Sequence, residues 1–238
     1  MKKRALWLLL PLVIAGLYGS LFLHYGQAPT VVRQIHVAVP KRLIVTATNA
    51  DIVVTTTQAK KVLVTESANV AYTPQTIHNG AVTQGRSQVS WVQHFFPTRV
   101  QLKVAIPRTY SGRLVIHSAS GAVMVRDSHS GAMRISTQSG AISGNLSAKR
   151  LQVRAASGAV TLAVAGVSAD STVTTQSGAV DLHLTNLRQV SVDARSASGA
   201  VKLSGMSTRR FSEHHWHGGQ AESPLLAVQT QSGAIKVR

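Results

Sequence analysis

The chain has eight carboxylates: Asp51, Glu66, Asp127, Asp170, Asp181, Asp193, Glu213 and Glu222. Hydrolysis or elimination on a polysaccharide needs two carboxylates facing one bond, or carboxylates that hold a metal. These eight form no sequence cluster, and they do not recur at one inward position of the repeat described below. There is no Gly-x-Ser-x-Gly elbow, and there is no cysteine to serve as nucleophile, zinc ligand or lipid-attachment point. No catalytic residue and no enzymatic activity are expected.

His214, His215 and His217 place three imidazoles within four residues, with Glu213 adjacent, a donor set that suits Zn²⁺ or Cu²⁺. They lie in a segment, 205–224, that breaks the surrounding pattern and reads as an irregular loop. Such a loop offers no fixed coordination geometry, so neither a metal nor any other cofactor is expected.

Basic pairs occur at Lys41-Arg42, Lys60-Lys61, Lys149-Arg150 and Arg209-Arg210. Each pair taken singly reads as solvated charge at a turn or sheet edge, where it also discourages edge-to-edge aggregation. The total is harder to explain that way. The formal charge is +17, and without Lys2, Lys3 and Arg4 it is 22 − 8 = +14, a field that attracts polyanions. Lys149, Arg150, Arg209 and Arg210 are the candidate anion-binding residues, the last two on a basic, aromatic loop of the kind that often carries recognition.

The elements that must position these residues come from an internal repeat. Ser-Gly-Ala followed by an aliphatic residue or Met occurs at Ser120, Ser130, Ser139, Ser157, Ser177, Ser198 and Ser232. With Ser130 set aside, successive serines are 19, 18, 20, 21 and 34 residues apart. Four residues before each serine stand Ile116, Ile135, Val153, Val173, Ala194 and Val228, and three after stand Val123, Ile142, Val160, Val180, Val201 and Ile235. Small residues occupy the position two before: Ser118, Thr137, Ala155, Thr175, Ser196 and Thr230. Alternation with period two on both sides of a turn is the signature of strand, turn, strand. One such coil cannot bury its apolar stripe alone, so coils must stack as a solenoid.

The structural turn residues are therefore Ser120-Gly121, Ser139-Gly140, Ser157-Gly158, Ser177-Gly178, Ser198-Gly199 and Ser232-Gly233. Glycine is expected there for positive φ, and serine for hydrogen bonds to nearby backbone. A degenerate coil lies upstream, where Leu43, Val45, Ala47, Asn49, Ile52 and Val54 fit the same offsets. Strand-like runs at 61–65, 88–93 and 99–106 are expected to form a flatter β cap over the first coils. The fold class is thus all-β, a β-solenoid of about twenty-residue coils.

Residues 1–4 are basic, and 5–23 carry no charge over nineteen residues, roughly 28 Å as a helix and close to a bilayer core. A transmembrane signal-anchor is expected there, with a long cleaved signal peptide as the alternative. The positive-inside rule places 1–4 in the cytoplasm and the remainder outside it. Residues 24–36 read as a linker and 37–238 as the solenoid domain. The expected location is the cell membrane, single-pass, with the C-terminal domain extracytoplasmic.

The runs Val104-Ala105-Ile106-Pro107, Leu114-Val115-Ile116 and Ser118-Ala119-Ser120-Gly121-Ala122-Val123 resemble a large bacterial family labelled "putative adhesin", a domain of unknown function with a β-helix-like fold. Thr48-Asn49-Ala50-Asp51-Ile52-Val53-Val54 is similar to that family's opening Asn-Gly-Asp turn, and the resemblance covers roughly 32–238. It implies the fold, and it brings no catalytic residues with it. Family turns often carry Asp where this chain carries Ala, so an acidic, cation-binding turn ladder is not expected.

The reading that joins these threads is a membrane-anchored, extracytoplasmic binding or scaffold protein of the bacterial cell envelope, adhesin-like, engaging anionic surface polymers or lipids. The alternatives are an envelope-stress sensor domain acting through contacts with other envelope proteins, and a carbohydrate-active β-helix enzyme. Export argues against nucleic acid as a physiological partner.

Overall fold

The computed structural model describes residues 29–74, 80–87, 98–186, 189–220 and 223–238. The expected n-region and membrane anchor, 1–4 and 5–23, lie outside these, as does the run 88–93. Among the described residues no helix is long and apolar enough to cross a membrane.

The N-terminal strands are β1 (Thr30–Val37), β2 (Arg42–Ala47), β3 (Asp51–Thr57), β4 (Val62–Ala68), β5 (Tyr72–Thr73), β6 (Ala81–Thr83), β7 (Arg86–Ser87) and β8 (Val100–Pro107). The central array is β9 (Arg113–Ser118), β10 (Val123–Thr137), β11 (Ile142–Ala155), β12 (Val160–Val164), β13 (Ser171–Ser177) and β14 (Val180–Leu184). The C-terminal strands are β15 (Ser191–Ser196), β16 (Val201–Leu203), β17 (Thr208–Ser212), β18 (His215–Gly218), β19 (Leu225–Ser232) and β20 (Ile235–Val237).

Eighteen of these form one continuous sheet that winds into a two-faced solenoid, and β5 pairs with β7 apart from it. The segments before the turns build the first face in the order β6, β2, β9, the second half of β10, the second half of β11, β13, β19, β15. The segments after the turns build the second: β8, β3, the first halves of β10 and β11, β12, β14, β20, β16. All of these pairings are parallel. β10 crosses from one face to the other at a bulge where Asp127 adopts φ +49° and its backbone N–H donates to Asn145 Oδ1 (3.1 Å).

The period-two pattern decides what is buried. Ile116, Ile135, Val153, Val173 and Val228 stack in register inside the first face, and Val123, Ile142, Val160, Val180 and Ile235 inside the second; each is at most 1% exposed. The upstream coil joins the same columns, with Val45 opposite Ile116 and Ile52 opposite Val123.

The turns stack as well, and here the expectation about glycine needs correction. Positive φ among described glycines occurs at Gly80, Gly144, Gly205 and Gly219, and at no Ser-Gly-Ala turn. The turn glycines are required by close approach. A Cβ on Gly140 would meet the carbonyl oxygen of Gly121 at under 3.0 Å; Gly158 meets Gly140 in the same way, Gly178 meets Gly158, Gly233 meets Gly178, and Gly199 meets Gly233. Any side chain there would have to push apart two backbones that the sheet holds about 4.8 Å from each other. The serine hydroxyls also reach between coils: Ser120 Oγ donates to Thr48 O (2.9 Å), Ser139 to Ala119 O, Ser157 to Gln138 O and Ser198 to Gln231 O (3.1 Å).

The first turn has no preceding coil to receive its amides. Gln84 takes that part, its buried side-chain oxygen accepting from Thr48, Asn49 and Ala50 at 2.8–3.1 Å. The expected cap is an antiparallel extension of the second face, β1–β4–β8. Residues 30–36, expected as part of the linker 24–36, belong with Val37 to strand β1, because their alternation fits the free edge of β4.

Segment 205–224 is likewise not an irregular loop. β17 and β18 form a hairpin whose second strand pairs antiparallel with β15. Its physical role is to cover the edge at which the parallel stack of the first face ends.

Candidate anion-binding groove

Arg42, Arg113, Ala132 and Arg150 are in register on four consecutive strands of the first face, β2, β9, β10 and β11. The three arginines of the row are exposed, while Leu43, Leu114, Met133 and Leu151 beside it point into the core. Ala132 interrupts the row. With strands about 4.8 Å apart, Arg113 and Arg150 stand roughly 10 Å apart across a methyl group. The result is a depression of about 480 Å³, floored by Gly131 and Ala132 and rimmed by Arg42, Arg113, Arg134, Lys149 and Arg150.

Gly131 belongs to the out-of-phase Ser130-Gly131-Ala132 copy. It lies within β10 rather than at a turn, and a Cβ there would strike the Ser111 carbonyl. Ser111 begins the approach to β9, so this close contact holds Arg113 beside the floor. Tyr110 secures the same segment: it is buried, and its hydroxyl donates to Arg113 O at 2.8 Å. Burial pushes the Tyr110 phenol up, with a backbone hydrogen bond at Leu43 acting the other way.

The five cations have no carboxylate partner among the described residues. The ion pairs found there include Arg195–Asp193, Arg210–Glu213, His215–Asp193 and Arg238–Asp181, all away from the groove. No carboxylate lines the depression; Asp170, next to Ala169 at the rim, accepts the Leu225 N–H (3.1 Å). His117, one row further along the face, senses the field. Burial and then the charges of Arg134 and Arg42 hold its pKa below the ordinary imidazole range, and its Nδ1 lies 2.5 Å from Ser136 Oγ. Exposed guanidinium groups without counter-charge, fixed on strands around a concave floor, suit bidentate contact with phosphate or carboxylate.

Of the residues expected from sequence to bind anions, Lys149 and Arg150 line this groove and Arg209 and Arg210 do not. The latter pair sits on β17 at the opposite end of the stack, with Arg209 over Phe211 (5.2 Å), Arg210 over Trp216 (5.6 Å), and Arg210 3.6 Å from Glu213. The three imidazoles of the hairpin are engaged separately. His214 Nδ1 lies 2.9 Å from Gly199 O, His215 Nε2 2.8 Å from Asp193, and His217 Nε2 3.2 Å from Ser191 Oγ. Among the described residues no group of three or more His, Asp or Glu side chains is placed to hold a metal ion.

Arg42, Arg113 and Arg134 do not stand out as a group in the sequence, yet a signal is there. Seven residues before each turn stand Arg42, Arg113, Ala132 and Arg150, one column beyond the aliphatic ones.

Compared with known proteins, residues 41–238 match the profile of a family described as Toastrack DUF4097. No curated protein matches the chain. Among solved structures, a putative cell adhesion protein from Clostridium sporogenes ATCC 15579 is 14% identical with a TM-score of 0.54, over 88% of this chain and 99% of that one. A putative adhesin from Parabacteroides distasonis ATCC 8503 is 10% identical with a TM-score of 0.39, over 89% and 98% of the two chains. A putative lipid binding protein from the same organism is 11% identical with a TM-score of 0.29, over 88% and 97%. The first likeness concerns the fold, and the other two are too distant to support an argument.

Proposed function

The chain belongs to the Toastrack DUF4097 family, a domain of unknown function, and from that premise we propose that it is a membrane-anchored, extracytoplasmic, non-enzymatic binding protein of the bacterial cell envelope that takes anionic polymers in the arginine-rimmed groove. The observation that carries this is the convergence of five cations, without counter-charge among the described residues, from four strands on a floor cleared by Gly131 and Ala132. The uncharged stretch 5–23 after a basic n-region supports the anchor. β1 begins at Thr30 on the N-terminal end of the stack, so an anchor at 5–23 sets the first coils and the groove near the membrane and the β17–β18 hairpin away from it. The name of the similar Clostridium sporogenes protein, a putative cell adhesion protein, agrees with a binding role at the surface.

The test uses the full-length chain in neutral detergent, titrated with linear polyphosphate. Contacts through about five cations should give an affinity that falls at least 100-fold between 50 mM and 500 mM salt, because bound counterions are released and fields are screened. An affinity insensitive to salt, or no binding at 50 mM, overturns the reading. Mass determination of the isolated protein checks the anchor: a mature chain that starts between about residues 20 and 29 would show a cleaved signal peptide instead.

A further inference from the structure

The groove does not end at Gly131 and Lys149. Both residues also line a second depression of about 470 Å³ that continues round the edge of the solenoid. The chemistry changes at that boundary. Among the described residues no serine or threonine lines the first depression, whereas Thr109, Ser111, Ser130, Ser147 and Ser168 all line the second, with Arg108 at its rim. Ser130 is 8% exposed and stands in register with core Ala148, so its hydroxyl turns inward. The hydroxyls open to a ligand are those of Thr109, Ser111 and Ser168, which are exposed, and of Ser147, which is half-buried.

We propose that the two depressions hold one ligand: a polymer whose anionic groups alternate with hydroxyl-bearing units, such as a phosphodiester-linked polyol or an acidic glycan. An anion sits over Gly131 and Ala132 among the arginines, and the adjoining hydroxylated unit sits beside Ser147 and Ser168. This rests on the anion-binding reading of the groove and adds to it the nature of the repeating unit. Other polyanions fit less well. A lipid surface calls for exposed apolar side chains beside the cations, and the large exposed ones among the described residues, Val31, Val32, Val39, Phe211 and Leu225, line neither depression. Single-stranded nucleic acid calls for exposed aromatics on which bases stack. At the second depression Tyr110 is buried and hydrogen-bonded to Arg113 O, which leaves, among the described residues, the single exposed ring of His129, too few for a run of stacked bases.

The experiment compares four probes on the full-length chain in neutral detergent at low salt: poly(glycerol phosphate), polygalacturonate, linear polyphosphate and monomeric glycerol 3-phosphate. At least one of the two hydroxylated polymers should bind tenfold or more tightly than polyphosphate of equal charge, and the two together distinguish phosphate from carboxylate as the anion. Glycerol 3-phosphate should bind at least 100-fold more weakly than the preferred polymer. The double variant Ser147→Ala, Ser168→Ala should lower affinity for that polymer at least fivefold and leave polyphosphate within twofold. Equal affinity for polyphosphate and both hydroxylated polymers, or an equal response of all polymers to the double variant, overturns this proposal while the anion-binding reading stands. Binding of glycerol 3-phosphate as tightly as a polymer overturns it too, in favour of a headgroup-sized ligand. If no polymer binds at all, both readings fall together.

Discussion

Lys149-Arg150 and Arg209-Arg210 are the same kind of feature in the sequence, adjacent cations in a basic chain, and the fold treats them in opposite ways. Lys149 and Arg150 join Arg42, Arg113 and Arg134, which come from other coils, and none of the five meets a carboxylate among the described residues. Arg209 and Arg210 meet Phe211, Trp216 and Glu213, all from their own hairpin. Phe211 in turn stacks on His215 (4.7 Å between ring centroids), and His215 holds Asp193 of β15. The first pair contributes field to a concave surface. The second pair fastens a cap to the end of the sheet. Net charge therefore says little about where an anion binds. What matters is whether the neighbours supplied by the fold leave the cations available.

The comparison can be broken most completely through the glycine ladder on which both regions depend. Gly158→Val places a β-branched side chain against the Gly140 carbonyl, and no rotamer relieves a clash that begins at Cβ. A loss of about 3 kcal/mol is expected, lowering Tm by roughly 6–12 °C. Groove and hairpin should fail together. Ala159→Ser, at an exposed neighbouring position, should change stability by less than about 0.5 kcal/mol. Thermal unfolding of the two variants side by side is the check; equal, negligible effects would show that the turns are not packed in this way.

A sharper cut leaves the fold intact. Arg113→Gln with Arg134→Gln removes two groove cations, and polyphosphate affinity should drop at least tenfold, about 1.4 kcal/mol. Arg209→Gln with Arg210→Gln removes the same charge from the hairpin and should change that affinity less than about twofold, with a cost to stability of about 1 kcal/mol from lost contact with the aromatic rings. Titration calorimetry on both double variants decides. An equal loss would mean that only total charge matters.

The smallest expected effect is one of pH. Burial works against ionisation of Asp193, but hydrogen bonds from Arg195 and His215, with their charges, outweigh it and hold the carboxyl below the usual carboxylate range. A carboxyl whose pKa is depressed by folding contributes stability above its unfolded value, near 4, and that contribution is lost as pH falls through the folded value. The hairpin should therefore loosen below about pH 4, seen as lower protection of the His215–Gly218 amides relative to their intrinsic exchange rates. The arginine-rimmed groove should keep its affinity for a phosphodiester over the same range, because no carboxyl among the described residues lines it. Protection in the hairpin that stays constant down to pH 3 would show that Asp193 does not secure it.

Much of this architecture is legible in the order of the residues alone. The aliphatic columns, the Ser-Gly-Ala turns and the degenerate coil at Leu43–Val54 follow from local alternation, and each stands in the expected register. Three of the five groove cations stand in basic pairs that the sequence shows, Lys149-Arg150 and Arg42 of Lys41-Arg42. The other two are ordinary in their own neighbourhoods: Arg113 and Arg134 are 21 residues apart and matter only once β9 and β10 lie side by side. The role of the turn glycines escapes a local reading for the same reason. Positive φ is a property of one residue, whereas the contact that excludes a side chain at Gly158 is with Gly140, one coil away.

By itself, then, the sequence determined the coil. The period of about twenty residues, the inward columns and the need for stacking are written into each repeat, because every coil must bury the same apolar stripe. Tertiary structure alone decided the order of the coils. The last one, β19–β20, does not stack at the end: it lies between β13–β14 and β15–β16, and Gly233 sits between Gly178 and Gly199. Coils with identical inward offsets can hydrogen-bond to one another in any order, so no local pattern distinguishes these arrangements. What selects one is the hairpin, whose β18 occupies the outer edge of β15 and leaves the returning chain the inner one.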